Sequence, residues 1–298
     1  MVLDGGLATE LERRGHDVSG ALWSAEVLRS APEAIEQLHY DYFAAGARCA
    51  ISASYQASYE GFAALGLDAG ETTALLRRSV ELAQSARTRY RRDHPADRRK
   101  LYVAASIGPY GAITHDGAEY RGDYGLTKEQ LIEFHARRFE VLATSGADFL
   151  ACETIPLLDE ALALATLLAQ HPDVLAWMSF TTRNGTHTSH GEHLTECARL
   201  LDRAPNVIAI GVNCVRPEVV GDAIGALRAG TSKAIVVYPN SGEQWDGKAR
   251  SWHGSWNHDS LAALAPQWVS AGARIIGGCC RIGPREIAAL DETLSHVD

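Results

Sequence analysis

Three cysteines define the chemistry open to this chain. Two are adjacent, in the run Ile275-Ile276-Gly277-Gly278-Cys279-Cys280-Arg281, and the third ends the apolar run Val212-Asn213-Cys214. Cysteine is scarce, six in 298 residues, yet three fall at the ends of strand-like segments. Three thiolates converging on one point make a tetrahedral zinc site whose fourth position is open to a substrate. Adjacent side chains of a regular strand point to opposite faces, so Cys279 and Cys280 can serve one metal only where the strand loses its regularity. Gly277-Gly278 offers the permissive backbone for that. The competing reading is of thiols that only pack as small hydrophobes, and it is the one given to Cys49, Cys152 and Cys197. His187, His190 and His193 repeat at three-residue spacing, but Gly185 and Gly191 bracket them and suggest a loop.

Two carboxylates stand at strand ends. Asp4 precedes Gly5-Gly6, and Glu153 follows the apolar run Phe149-Leu150-Ala151. Such groups serve as general bases or as receptors for an ammonium group. Asp4 can equally be a turn residue. A charge that ends an apolar run, as Glu153 does, needs a partner.

The elements that must position these residues alternate. Apolar or β-branched runs occur at Val2–Asp4, Arg48–Ser54, Leu101–Ile107, Asp148–Glu153, Val174–Phe180, Val207–Cys214, Ala234–Tyr238 and Arg274–Cys279. Helical patterns lie between them. Ala31–Ala45 opens with Pro32, Glu71–Arg92 repeats apolar residues at helical spacing, and Thr127 with Gln130 makes a capping box. Glycines 46, 146 and 272 are placed to end helices in a left-handed turn. Eight such strands alternating with helices, without a linker, predict one (β/α)8 TIM barrel over residues 1–298. A doubly wound sheet is the competing architecture. In a barrel, chemistry belongs at the C-terminal ends of the strands, where Asp4, Ser52, Glu153, Cys214, Tyr238, Cys279 and Cys280 stand. Two long aromatic connections, Gly108–Leu126 and Pro239–His258, read as binding loops.

Composition sets bounds. The chain is 46% hydrophobic and 22% charged, with a formal net charge of −9, which disfavours nucleic acid and anionic membrane as partners. No apolar run reaches the roughly 18 residues of a membrane helix. The N-terminus lacks the basic-then-apolar order of a secretory signal, and the cysteines lack disulfide-framework spacing; both fit a reducing cytoplasm.

These motifs resemble the homocysteine S-methyltransferase family. The matching stretches run in order from end to end. They include Asp4-Gly5-Gly6-Leu7-Ala8-Thr9-Glu10, Ala53-Ser54-Tyr55-Gln56-Ala57-Ser58, Pro109-Tyr110-Gly111-Ala112, Glu119 to Tyr124, Glu153-Thr154-Ile155-Pro156, Val212-Asn213-Cys214, Tyr238 to Glu243 and Gly277 to Cys280. The resemblance implies a zinc-bearing barrel in which Cys214, Cys279 and Cys280 are the thiolate ligands. It implies that Asp4, Gly5 and Glu153 hold the amino end of homocysteine, with Ser52 supplying a hydroxyl contact where relatives often have Thr. It further implies methyl transfer from a sulfonium to the homocysteine thiol, giving methionine. The length leaves no room for folate and cobalamin modules, and Gln56 stands where the betaine branch carries tyrosine. The donor expected is therefore S-methylmethionine, with S-adenosylmethionine as a further candidate. Trp23, Tyr110 or the Trp245–Trp256 segment are expected to face the sulfonium. The alternatives are a betaine-type methyltransferase, a metal-free barrel lyase or aldolase with a lysine Schiff base, against which Lys233 starts its strand and Lys248 lies in a loop, and a non-catalytic zinc-stabilised binding barrel. Oligomeric state is open.

Overall fold

A computed structural model describes residues 1–18, 24–114, 116–246, 251–253 and 260–296. Its main sheet has seven parallel strands in sequence order. They are β1 (Cys49–Ile51), β2 (Tyr102–Ile107), β3 (Phe149–Ile155), β4 (Ala176–Phe180), β5 (Val207–Asn213), β6 (Ala234–Tyr238) and, after a two-stranded antiparallel hairpin of β7 (Gln244–Asp246) and β8 (Ser251–His253), β9 (Ala273–Ile276). Each is short, and nearly every residue is buried on both sides, the pattern of a parallel sheet covered by helices on one face and by itself on the other.

The expected first strand is reduced to two parallel bridges, Val2 to Ile276 and Leu3 to Cys49. The segment is nonetheless bonded on both sides. Leu3 N–H donates to the Ile276 carbonyl (2.8 Å) and Ile276 N–H to the Met1 carbonyl (3.0 Å). On the other side, Arg48 N–H donates to the Val2 carbonyl (2.8 Å) and Asp4 N–H to the Cys49 carbonyl (3.0 Å). The last expected strand also ends early. β9 stops at Ile276 rather than Cys279, which matters for the site.

Alternation along the strands splits the core in two. Leu3, Cys49, Ala104, Ala151, Trp177, Ala209, Val236, Tyr238 and Ile275 pack on the inner face. A larger outer cluster, including Ala50, Val103, Leu150, Cys152, Met178, Ile210, Val237 and Ile276, packs under the helices. The long Ala69–Asp93 helix begins at a capping box made by Asp68 and Glu71, and the expected Thr127–Gln130 box opens the Lys128–Ala143 helix. Gly46, Gly146 and Gly272 all have positive φ (108°, 78° and 119°), as helix-ending glycines require. Among the described residues no helix is long and apolar enough to cross a membrane.

Candidate metal centre and substrate cavity

Cys214 follows directly on β5 with φ at 49°, an uncommon conformation for a side-chain-bearing residue, and its N–H donates to the Tyr238 carbonyl at 3.2 Å. The other two cysteines come from the turn after β9. There Gly277 N–H donates to Val237 O (3.0 Å), Gly278 N–H to Asp4 O (3.0 Å), Cys279 N–H to Pro239 O (2.7 Å) and Ile282 N–H to Cys279 O (3.1 Å). The strand has already ended, so period-two alternation no longer separates Cys279 from Cys280. The two glycines act differently from the expectation. Neither has positive φ; a Cβ on Gly277 would press on Leu3, and one on Gly278 on the Ile282 side chain. They are required for close approach, and the left-handed residue of this turn is Arg281, φ 68°.

The Sγ atoms of Cys214, Cys279 and Cys280 all lie within 4.8 Å of one another. Cys214 and Cys279 are joined as a disulfide with Cα atoms 5.5 Å apart, and Cys280 Sγ is 3.8 Å from Cys214 Sγ. Burial pushes the Cys280 thiol up to about 12. A thiol so placed stays protonated at neutral pH unless a cation displaces its proton. In the reduced state, three converging sulfurs are a donor set that fits zinc.

Both expected carboxylates reach the same region. Asp4 Oδ2 accepts the Ile51 N–H at 2.7 Å, while Oδ1 is buried without a partner. Burial raises the Asp4 pKa well above the carboxylate range, opposed by the Ile51 N–H and reinforced by the charge of Glu153. Glu153 sits at an irregularity of β3 between Cys152 and Ile155. Next to it Thr154 has φ 62°, held by Asn213, whose Oδ1 accepts the Thr154 N–H (2.7 Å) and whose Nδ2 donates to Thr154 Oγ1 (2.8 Å). The Ser106 hydroxyl donates to Glu153 Oε1. Burial lifts the Glu153 pKa to about 7, against the pull of the Ser106 and Tyr238 hydroxyls. Cys152 belongs to the outer cluster, away from Glu153, as alternation requires.

Of the expected site residues, Gly5, Ser52, Glu153, Cys214, Cys279 and Cys280 line one cavity; Asp4 is not on its wall, and lies next to the lining residue Gly5 and bonded to the lining residue Ile51. Ser52 Oγ lies 2.7 Å from Ser54 Oγ and accepts the Ser106 N–H at 3.1 Å, so its hydroxyl also ties two strand ends together. At Gly5 an added Cβ would fall on the Ile282 carbonyl, and the adjacent Gly6 N–H donates to that oxygen at 2.8 Å.

The connection after β2 adds residues to which sequence reasoning gave no role. Glu119 and Tyr120 line the cavity, as do Tyr55 and Gln56. The connection is fixed from behind by buried Glu160. Its Oε1 accepts the Tyr110 N–H (2.6 Å) and contacts His135 Nε2 (2.9 Å), and its Oε2 accepts the Tyr124 hydroxyl (3.2 Å). Buried Arg138 completes the group, with Nη2 2.8 Å from His135 Nδ1 and a bond to the Gly108 carbonyl. The only sequence signal for this anchor was the length and aromatic content of the loop.

Other expectations fall elsewhere. Tyr110 packs on Tyr124 and Phe134 (ring centroids 5.2 and 5.0 Å) and anchors the loop; it does not line the cavity. Trp245 and Trp252 pair in register across the hairpin, while Trp23, Lys248 and Trp256 lie outside the described residues. His187 and His193 face each other across an antiparallel bridge, and His190 Nδ1 contacts Glu192 at 2.7 Å. Lys233 Nζ donates to the Ala204 and Val207 carbonyls (2.6 and 2.5 Å), at the opposite end of the strands from the cysteines.

Comparison with known proteins agrees with this geometry. The family model described as homocysteine S-methyltransferase matches residues 1–294. The homocysteine S-methyltransferase YbgG of Bacillus subtilis is 48% identical over 99% of this chain and 95% of its own length. The homocysteine S-methyltransferase of Escherichia coli is 50% identical over 97% of this chain and 94% of its own. Among solved structures, the metallated form of the homocysteine methyltransferase MmuM of E. coli superposes with a TM-score of 0.89 at 47% identity, covering 98% of this chain and 95% of that one. Its oxidised form gives 0.90 at 48% identity with the same coverage. With three sulfurs and the buried Glu153 carboxylate around one cavity, and a match that spans both, the chain belongs to the homocysteine S-methyltransferase family.

Proposed function

We propose that this chain transfers a methyl group from a sulfonium donor, S-methylmethionine first and S-adenosylmethionine second, to the thiol of L-homocysteine, giving methionine. The observation that carries the reading is the convergence of Cys214, Cys279 and Cys280 within 4.8 Å at one wall of a cavity whose charged lining residues are acidic. We propose these three cysteines as the zinc ligands, and Asp4, Gly5, Ser52 and Glu153 as the residues that receive the amino acid end of homocysteine. Bound there, zinc would lower the pKa of the homocysteine thiol and keep its sulfur nucleophilic at neutral pH.

The protein groups then have separate tasks. Asp4 Oδ1, buried without a partner, and Glu153, held by Ser106, offer acceptors to the homocysteine ammonium. Gly5 lets the Ile282 carbonyl pack closely and contributes its backbone to the cavity wall. The homocysteine sulfur donates a lone pair to the methyl carbon, and the carbon–sulfur bond of the sulfonium breaks toward its own sulfur. That sulfur departs as a neutral thioether, so no general acid is needed. The enzyme's work is alignment and exclusion of water. Gln56, buried and donating to the Ala112 carbonyl at 3.2 Å, supports a sulfonium donor over betaine, since it stands where the betaine branch carries tyrosine.

We take the architecture to be a single (β/α)8 barrel over residues 1–298, with residues 1–4 as the eighth strand. The paired backbone bonds from that segment to Cys49 and Ile276 support this. A reducing cytoplasm would keep the three thiols available to metal.

The test is direct. The reduced, zinc-loaded protein is assayed for methionine from homocysteine with S-methylmethionine, S-adenosylmethionine and betaine in parallel. Turnover with a sulfonium and none with betaine is expected; turnover with betaine alone overturns the donor assignment. Cys214→Ala, Cys279→Ala and Cys280→Ala should each lose stoichiometric zinc and at least about a hundredfold in turnover while staying folded, because removing one ligand of a protein's three opens the site. Full metal content and turnover in any one variant would remove that cysteine from the ligand set.

A further inference from the structure

Among the described residues, the charged groups lining the cavity are Glu119 and Glu153, and none of its lining residues is a lysine, arginine or histidine. They sit in different surroundings. Glu153 and Asp4 form an interacting pair of strand-end carboxylates, with Ser106 and the Ile51 N–H as bonding partners. Glu119 stands apart, on the connection after β2. Its Oε2 is buried and receives no hydrogen bond. Its backbone is fixed, because Thr181 Oγ1 donates to the Glu119 carbonyl at 3.1 Å and a Cβ on Gly111 would strike the Glu119 nitrogen. Glu119 shares the lining of the cavity with Cys280, Tyr55 and Tyr120.

We propose that Glu119 is a specificity-determining residue for the methyl donor, its carboxylate receiving the positive charge of the sulfonium. The inference rests on the proposed methyl transfer. Three cationic groups enter such a site, the homocysteine ammonium, the donor's own ammonium and its sulfonium, and their chemistry differs. An ammonium carries three N–H donors and is best held by several acceptors, which the Asp4–Glu153 pair offers. A sulfonium has no N–H or O–H to donate. It can be recognised only by charge and by aromatic faces. A buried carboxylate oxygen that no donor satisfies, in a cavity also lined by two tyrosines and the three cysteines, has those properties. The sulfonium must also approach the cysteine cluster, since the sulfur it methylates is held there.

The charge exists only before transfer. When the S–CH3 bond breaks with its electron pair left on the donor sulfur, the cation becomes a neutral thioether, and Glu119 loses its partner. Glu119 therefore favours the substrate over the departing product. An interaction that weakens along the reaction binds the ground state more than the transition state, so its loss appears chiefly in donor KM.

The experiment uses the zinc-loaded wild type and Glu119→Gln, with zinc content and melting temperature recorded for both. Wild-type turnover with S-methylmethionine establishes the reaction independently of the variant; its absence would defeat the proposed function rather than this inference. In Glu119→Gln, donor KM should rise at least tenfold, kcat at saturating donor should change less than threefold, and homocysteine KM should stay within twofold. Calorimetric titration without homocysteine should show S-methylmethionine affinity falling by a similar factor, while methionine, its neutral counterpart, binds within twofold of wild type. Equal loss for both ligands would assign Glu119 to an ammonium and overturn the proposal. So would a rise confined to homocysteine KM, or unchanged donor binding.

Discussion

Glu153 shows how a single residue can be legible in type and hidden in setting. A carboxylate ending an apolar run signals a need for a partner, and that much was visible. The partner is the Ser106 hydroxyl on the neighbouring strand β2, while Asn213 holds the adjacent Thr154 in a left-handed conformation. Backbone of that kind is uncommon for a β-branched residue and persists only where surrounding bonds enforce it. Replacing Glu153 with Gln keeps the shape and removes the charge-assisted bond to the substrate ammonium. The expected loss is about 1.5–3 kcal/mol, or about ten- to a hundredfold in homocysteine affinity, with zinc retained. Calorimetric titration of homocysteine into the zinc-loaded variant measures it. Unchanged affinity with a lowered melting temperature would leave Glu153 a structural residue.

At the scale of elements, the strands were legible because burial on both faces writes near-continuous apolar runs, and the helix ends because Gly46, Gly146 and Gly272 adopt the positive φ that glycine permits. The cysteine turn was legible as a place and not as a mechanism. Its glycines make room for Leu3 and Ile282, the first a contact between segments more than 270 residues apart in sequence that no local pattern encodes. The loop after β2 was legible only as long and aromatic. Its anchor, Glu160 with His135 and Arg138, is assembled from two helices and is wholly buried. Glu160→Gln removes the anion opposite buried Arg138. Breaking a buried charge group on one side costs about 3–5 kcal/mol. The loop should loosen with it, since the Tyr110 N–H and Tyr124 hydroxyl lose a charged acceptor. Lower thermal stability together with faster proteolysis within residues 108–126 is the expected result. An unaltered melting temperature would show that Glu160 contributes nothing as an anchor.

At the scale of the whole molecule, the first residues do two jobs at once. Met1, Val2, Leu3 and Asp4 bond to β1 on one side and β9 on the other, and the same segment sets the Asp4 carboxyl against Ile51 and leads into Gly5, both on the cavity wall. The match of expected and observed strands is thus least regular where structure and chemistry overlap most. Global stability, by contrast, should carry the signature of a residue remote from chemistry. His39, in the Pro32–Ala44 helix, is fully buried and neither ring nitrogen has a partner. Burial lowers its pKa to about 4, against 6.5 in the unfolded chain. Between those values the unfolded state binds a proton that the folded state refuses, so stability rises with pH. The contribution is fully present above pH 6.5 and is lost as pH falls toward 4, amounting to about 3 kcal/mol. His39→Leu removes the titration while keeping an apolar side chain in the same packed position. Urea unfolding at pH 7.5 and pH 4.5 should show the wild type losing about 2–3 kcal/mol more than the variant between the two. Equal losses in both proteins would mean that His39 is protonated at no cost in the fold, and that the acid sensitivity belongs to other groups whose pKa the fold depresses, His135 and Glu10, instead.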